Sequence, residues 1–239
     1  MESIARKSNL NFLKEISRDF LSLFFPNYCL GCTRALVKGE EILCTFCIHD
    51  LPKTHHDFNG ENPVKLRFEG RIPVARAMAF LQFRKTGIAQ KLLHQLKYNQ
   101  HPEVGVKIGS LIGNEIQAVA HSIDLIIPVP LHPARLRQRG YNQSAMFAQG
   151  ISQSTGIPWE ESISVRKQNT KTQTRMSRAQ RWENVKSVFG VSDHRKIEGK
   201  NILLVDDVIT TGATLEACGQ HLLDAQCKSL SIICIAEAQ

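Results

Sequence analysis

The stretch NILLVDDVITTGAT, residues 201–214, decides how this chain folds. Four apolar residues, Ile202 to Val205, run without a break into two adjacent carboxylates, Asp206 and Asp207. A continuous apolar run closed by polar residues suits a strand buried on both faces of a parallel sheet. A turn of small and hydroxyl residues follows, Thr210-Thr211-Gly212-Ala213-Thr214, and then a helical pattern with Leu215, Leu222 and Leu223. Such a turn at a helix start suits an anion. Its free N–H groups and the positive dipole end face the ligand, and Gly212 lets the backbone come close. Threonine hydroxyls and loop amides can hold a monophosphate, while two neighbouring carboxylates need donors, which a ribose 2,3-diol supplies. The ligand expected here is a phosphate beside a vicinal diol. The competing reading is a plain strand-turn-helix with a solvated acidic pair, which a lone Asp-Asp would not exclude.

The spacing as a whole resembles the phosphoribosyl pyrophosphate (PRPP) signature of type I phosphoribosyltransferases: an apolar strand, two acids, a hydrophobic pair, then Thr-Gly-x-Thr. The resemblance implies that Asp206 and Asp207 bind the ribose hydroxyls and serve catalysis. It implies that Val208 and Ile209 lead into a 5-phosphate loop made of Thr210, Thr211, Gly212, Ala213 and Thr214.

At 239 residues the chain can hold one α/β domain of ordinary size and a small appendage. Its 42% hydrophobic and 22% charged content are those of a globular protein in water. No apolar run approaches the roughly 20 residues of a membrane helix, and no secretory pattern opens the sequence, so a cytoplasmic protein without an integral membrane segment is expected. The net charge is +8, and it is concentrated: residues 134–200 carry 13 Lys/Arg against 5 Asp/Glu, while the remainder balances. A diphosphate ligand accounts for part of that excess and a nucleic acid for more; a solvated basic face is the plain alternative.

Taken in order, residues 1–26 read as an amphipathic helix, with Ile4, Leu10, Leu13, Ile16, Phe20, Leu21 and Phe24 near helical spacing and Pro26 as the stop. Residues 27–60 read as a zinc-ribbon-like module. Its two C-x-x-C knuckles, Cys29/Cys32 and Cys44/Cys47, put four thiolates where one tetrahedral zinc takes them all. Four protein ligands leave no open position, so the zinc is expected to be structural; an iron–sulfur cluster is the less favoured occupant. His49, His55 and His56 are expected to be solvated. Residues 52–72, with Pro52, Gly60, Pro63 and Gly70, read as irregular connection. From residue 61 to 239 a phosphoribosyltransferase-like domain is expected: a strand near 74–83, helices over 88–98 and 104–120, a buried strand at 123–130, the strand of the opening stretch, and a last strand at 229–236. Strands alternating with helices argue for a parallel sheet, whose ligands bind at the carboxyl ends of its strands.

The loop after the 123–130 strand, PVPLHPARLRQRGYNQ, is stiffened by three prolines and then carries arginines at 135, 137 and 139. Planar guanidinium forks match phosphate oxygens. If this segment is helical, Arg135 and Arg139 share a face and Arg137 points away. Beside Pro130 they would hold the diphosphate of PRPP. Asn142 and Ser144 are candidate helix caps.

Together, the four-cysteine module, Leu96-Lys97-Tyr98, the PVPLHPARLRQRGYNQ stretch, the TTGAT turn, and the block Arg166, Thr170, Gln173, Thr174, Arg178, Arg181, Asn184 and Phe189 resemble the ComF family of competence-associated and GntX-like proteins. That resemblance implies a type I phosphoribosyltransferase fold and, with it, magnesium-dependent transfer of a phosphoribosyl group from PRPP to an unnamed nucleophile, in a setting of competence and DNA uptake. Residues 164–187 hold seven Lys/Arg against one Glu and almost no aliphatic side chains. In this fold class they would form the flexible loop that closes over the sugar diphosphate, with Gln173, Thr174, Arg178 and Arg181 in contact. The rival reading is a non-catalytic protein that contacts single-stranded DNA and the uptake machinery through these basic loops, with Trp182 available for stacking. Cys218, Cys227 and Cys234, which share no ligand spacing, are expected to be small core or near-surface residues rather than ligands.

Overall fold

The computed structural model describes residues 25–166 and 188–238. The helix expected over 1–26 therefore lies almost wholly outside the described residues, as do Gln173, Thr174, Arg178, Arg181 and Trp182. The chain divides into two compact units, Met1–Asp50 and Leu51–Gln239.

In the first unit an antiparallel bridge joins Tyr28 to Ala35 around the first knuckle, and α1 (Thr45–His49) carries the second. Glu40 fixes the approach to that helix: one carboxylate oxygen accepts from the Thr45 amide at 2.7 Å and the other from the Val37 amide at 3.1 Å. Those backbone donors hold its carboxyl below the usual range.

The second unit runs α2 (Pro63–Leu66), β1 (Arg76–Phe83), α3 (Ile88–Tyr98), α4 (Glu103–Glu115), a 3-10 turn (Gln117–Ser122), β2 (Leu125–Pro128), α5 (Pro133–Arg139), α6 (Gln143–Thr155), β3 (Ser164–Arg166), β4 (Phe189–Val191), β5 (Asn201–Ile209), α7 (Ala213–Asp224) and β6 (Ser229–Ala238). Four strands form a wholly parallel sheet in the order β1-β6-β5-β2, and β3 pairs antiparallel with β4 apart from it. The expected parallel α/β fold is present.

Register follows from burial. Along β5, Ile202 and Leu204 face one side and Leu203 and Val205 the other, and all four are buried. The first face packs with Leu215, Cys218 and Leu222 of α7 in one core. On the second, α6 packs against β2 and β5, and α3 against β1. Each large aliphatic side chain taken out of water contributes about 1.5–3 kcal/mol, so uninterrupted apolar strands are what this layering requires. Helices α4 and α6 approach closely because glycines meet at the crossing: a Cβ on Gly109 would collide with the Phe147 carbonyl, and one on Gly150 with the Val106 carbonyl.

Three expectations need correction. Residues 52–72 are irregular apart from α2, as expected, but they are packed into the fold rather than forming a linker. Val64, Phe68 and Ile72, four residues apart, are buried in the α7-side core. Asn62, itself buried, caps α2 through the Val64 and Lys65 amides and donates to the Ala77 carbonyl of β1 at 2.7 Å. Nor is His56 solvated. Its side chain is 10% exposed and its Nε2 lies 3.5 Å from Glu237, while burial lowers its pKa. The helix expected over 104–120 ends at Glu115 and continues as the 3-10 turn. Cys218 and Cys234 are buried and Cys227 half-buried, as their small apolar character implied. Among the described residues no helix is long and apolar enough to cross a membrane.

Candidate functional site

A cavity of about 420 Å³ opens at the carboxyl ends of β2 and β5. Three loops build it. The first leaves β2: Val129 still pairs with β5, its amide donating to the Val205 carbonyl at 2.9 Å, and Pro130 and Leu131 form a wall. His132 then caps α5 through Nδ1, 3.2 Å from the Ala134 amide. In this short helix Arg135 and Arg139 line the cavity and Arg137 does not. Gly140 ends α5 in the left-handed region, and Asn142 caps α6 while donating to the Val129 carbonyl at 3.0 Å. Ser144, expected as a cap, instead turns its hydroxyl to Asp206, donating to Oδ1 at 2.9 Å.

The second loop leaves β5, whose last residues carry both acids into the cavity wall with Val208 and Thr214. Asp206 Oδ1 also accepts from the Asp207 amide at 2.8 Å. Burial, and then the negative charge of Asp207, push the Asp206 carboxyl up to about 7. Asp207 is paired with Lys97 at 2.9 Å. The turn from Ile209 to Ala213, together with Asp206, Val208 and Thr214, lines a smaller adjoining hollow of about 40 Å³. Gly212 has φ +80° and stands at the N-cap of α7. The amides of Thr211 and Gly212 donate to no protein group among the described residues, and the Ala213 amide reaches only Thr211 Oγ1, at 3.4 Å.

The third contribution comes from the end of α3. Lys97 and Tyr98 line the cavity, and Arg139 lies over the Tyr98 ring at 5.3 Å. Arg166, at the end of β3, adds a further cation. Burial, and then the neighbouring Arg135, lower its pKa, against the pull of Asp206. Its Nε and the Nε2 of Gln143 are buried donors without a partner among the described residues, and both residues line the cavity. Unpaired buried donors are costly unless a ligand accepts from them. Of the residues read from sequence, Asp206, Asp207, Val208, Thr214, Pro130, Arg135 and Arg139 share the cavity, and Ile209, Thr210, Thr211, Gly212 and Ala213 line the adjoining hollow. Lys97 was visible only as part of a family resemblance. Arg166 had been read into a mobile loop, and Gln143 had no local signal.

In the first unit Cys29, Cys32, Cys44 and Cys47 place their sulfurs within 4.8 Å of one another. Cys32 and Cys44 are 3.6 Å apart, close to the ~3.8 Å edge of a tetrahedron drawn with Zn–S bonds of about 2.3 Å. The Gly31 and Cys44 amides donate to Cys29 Sγ at 3.4 and 3.2 Å, and the Cys47 amide to Cys44 Sγ at 3.4 Å, as amides do in a knuckle that holds thiolates. These residues fit a four-thiolate zinc site.

The fold, a parallel α/β sheet with acids and a glycine turn at the carboxyl end of β5, is of the phosphoribosyltransferase type. The chain belongs to that family: the description "Phosphoribosyl transferase domain" matches residues 94–239. Over 220 residues it is 28% identical to a protein of Salmonella typhimurium (strain LT2) named DNA utilization protein YhgH, covering 90% of this chain and 92% of the relative. It is 34% identical over 116 residues to Competence protein F of Haemophilus influenzae, 48% of this chain and 51% of that one. Among solved structures it is similar to the allosteric regulatory enzyme of purine biosynthesis at 21% identity and TM-score 0.43, over 59% of this chain and 30% of that one.

Proposed function

We propose that this chain binds PRPP in the β2–β5 cavity and transfers its phosphoribosyl group to a nucleophile. The observation that carries the reading is the order of groups along the site. Arg135 and Arg139 line the larger cavity with Asp206 and Asp207, and Asp206 also lines the adjoining hollow, where Thr211 and Gly212 carry their open amides. That order matches a diphosphate, a diol and a 5-phosphate. The unpartnered donors of Arg166 and Gln143 give the anionic end further hydrogen bonds.

In the reaction the bond from ribose C1 to the diphosphate oxygen breaks, and pyrophosphate leaves with the electron pair. A bond from the incoming nucleophile to C1 forms. Arg135 and Arg139 hold the departing charge; Asp206 and Asp207 fix the hydroxyls and lie near the positive charge that develops on the ring. Magnesium fits the hard oxygen donors of these acids and the phosphates, and would supply neutralisation of the diphosphate. The zinc of the cysteine module would be structural, since all four positions are taken by protein.

The relatives named for DNA utilization and competence support a role in handling DNA. A second reading, non-catalytic contact with single-stranded DNA, is supported by the concentration of positive charge between residues 134 and 200. The double variant Asp206→Asn/Asp207→Asn separates the two. Under the transferase reading it loses magnesium-PRPP binding and pyrophosphate release, and keeps its retention on single-stranded DNA. If PRPP never binds the parent protein while charge reversal in the basic segment abolishes DNA retention, the second reading stands.

A further inference from the structure

The segment around α2 sits directly behind the turn from Thr210 to Gly212. Arg67 and Arg71 leave the end of α2 and reach the turn across about 140 residues of chain: Arg67 NH1 donates to the Thr210 carbonyl, and Arg71 NH1 to the Thr211 carbonyl at 3.0 Å. Between them Phe68 packs against Gly212, where a Cβ would meet its ring at 3.3 Å. Each guanidinium is also paired, Arg67 with Glu237 at 3.2 Å and Arg71 with Glu216 at 3.1 Å. Glu237 is buried and stands beside Ile209 in the β5–β6 register.

In a trans peptide the carbonyl and the following N–H point to opposite sides. Tying the Thr210 and Thr211 carbonyls to arginines on one side therefore turns the Thr211 and Gly212 amides to the other, where they have no protein acceptor among the described residues. Both arginine charges are met by carboxylates, so they act through geometry more than through net charge. We propose that Arg67 and Arg71 are positioning residues that hold the phosphate turn with its amides open toward the ligand. The inference rests on the PRPP reading of the same site.

The test uses the full chain with its metal, and two probes titrated separately by calorimetry: ribose 5-phosphate, and pyrophosphate with magnesium. The variant is Arg67→Met/Arg71→Met. The expected result is a dissociation constant for ribose 5-phosphate raised at least tenfold, with that for pyrophosphate within twofold of the parent, because pyrophosphate lies at the Arg135–Arg139 end. Arg67→Lys on its own should keep part of the affinity, since an ammonium still donates to one carbonyl. Should the double variant not fold, Arg71→Met, at the more exposed position, must show the same split. Equal loss of both probes, or loss of neither, overturns the proposal while leaving PRPP binding standing. If the parent protein binds neither probe, both fall.

Discussion

Burial, and then the charge of Asp207, disfavour the ionised form of Asp206, and Asp206→Asn should therefore make the protein more stable above neutral pH. The carboxyl stands at about 7 in the folded chain against an ordinary value of 3.8. A raised pKa means that the charged form is disfavoured by folding. Its stabilising contribution is whole below about pH 4, and it is lost as pH rises through about 7. At ~1.4 kcal/mol per pH unit, the penalty reaches about 4 kcal/mol by pH 8 and is under about 1 kcal/mol near pH 4. Asparagine keeps the oxygen that accepts from Ser144 and the Asp207 amide, and puts a neutral amide where the second oxygen stood. The gain at pH 8 should be roughly 2–4 kcal/mol, or about 5–15 °C in melting temperature for a unit of this size. Thermal unfolding of parent and variant, without ligand, at intervals from pH 4 to 8 measures it. A variant less stable than the parent at pH 8, or an advantage equal at pH 4 and pH 8, would refute the argument.

Other consequences follow from the same site. On the proposed reading a carboxylate holds the diol, so magnesium-PRPP affinity should rise as pH passes upward through about 7, and Asp206→Asn should flatten that dependence in calorimetric titrations. Gly212→Ala puts a side chain at φ +80° against Phe68; it should lower stability by about 1–2 kcal/mol in denaturant unfolding and weaken ribose 5-phosphate binding tenfold or more. Cys44→Ser removes one sulfur of a set placed to hold one ion; metal analysis should show zinc lost, with PRPP affinity retained by the second unit.

The opening stretch was legible because a parallel strand buried on both faces writes itself as an unbroken apolar run, and because the acids and the glycine turn fall next to it in sequence. The arginine wall of the cavity was legible for a similar reason: a spacing of four placed Arg135 and Arg139 on one helical face, and α5 forms there. What stayed hidden was assembled by the fold rather than by neighbouring residues. Arg67 meets Thr210 across 143 positions, and no local pattern marks it. Pro63 and Gly70 drew attention as breakers, while Val64, Phe68 and Ile72, the residues that bury the segment, were too few to register as a helix. His56 was hidden likewise, since only the end of β6 brings Glu237 to it.

A crystal structure of the full chain with PRPP and magnesium bears most directly on the account. Expected are the ribose hydroxyls within hydrogen-bond reach of Asp206 and Asp207, the 5-phosphate on the Thr211 and Gly212 amides, and the diphosphate against Arg135 and Arg139. A ligand bound elsewhere, or a protein that takes up none at millimolar PRPP, would contradict it.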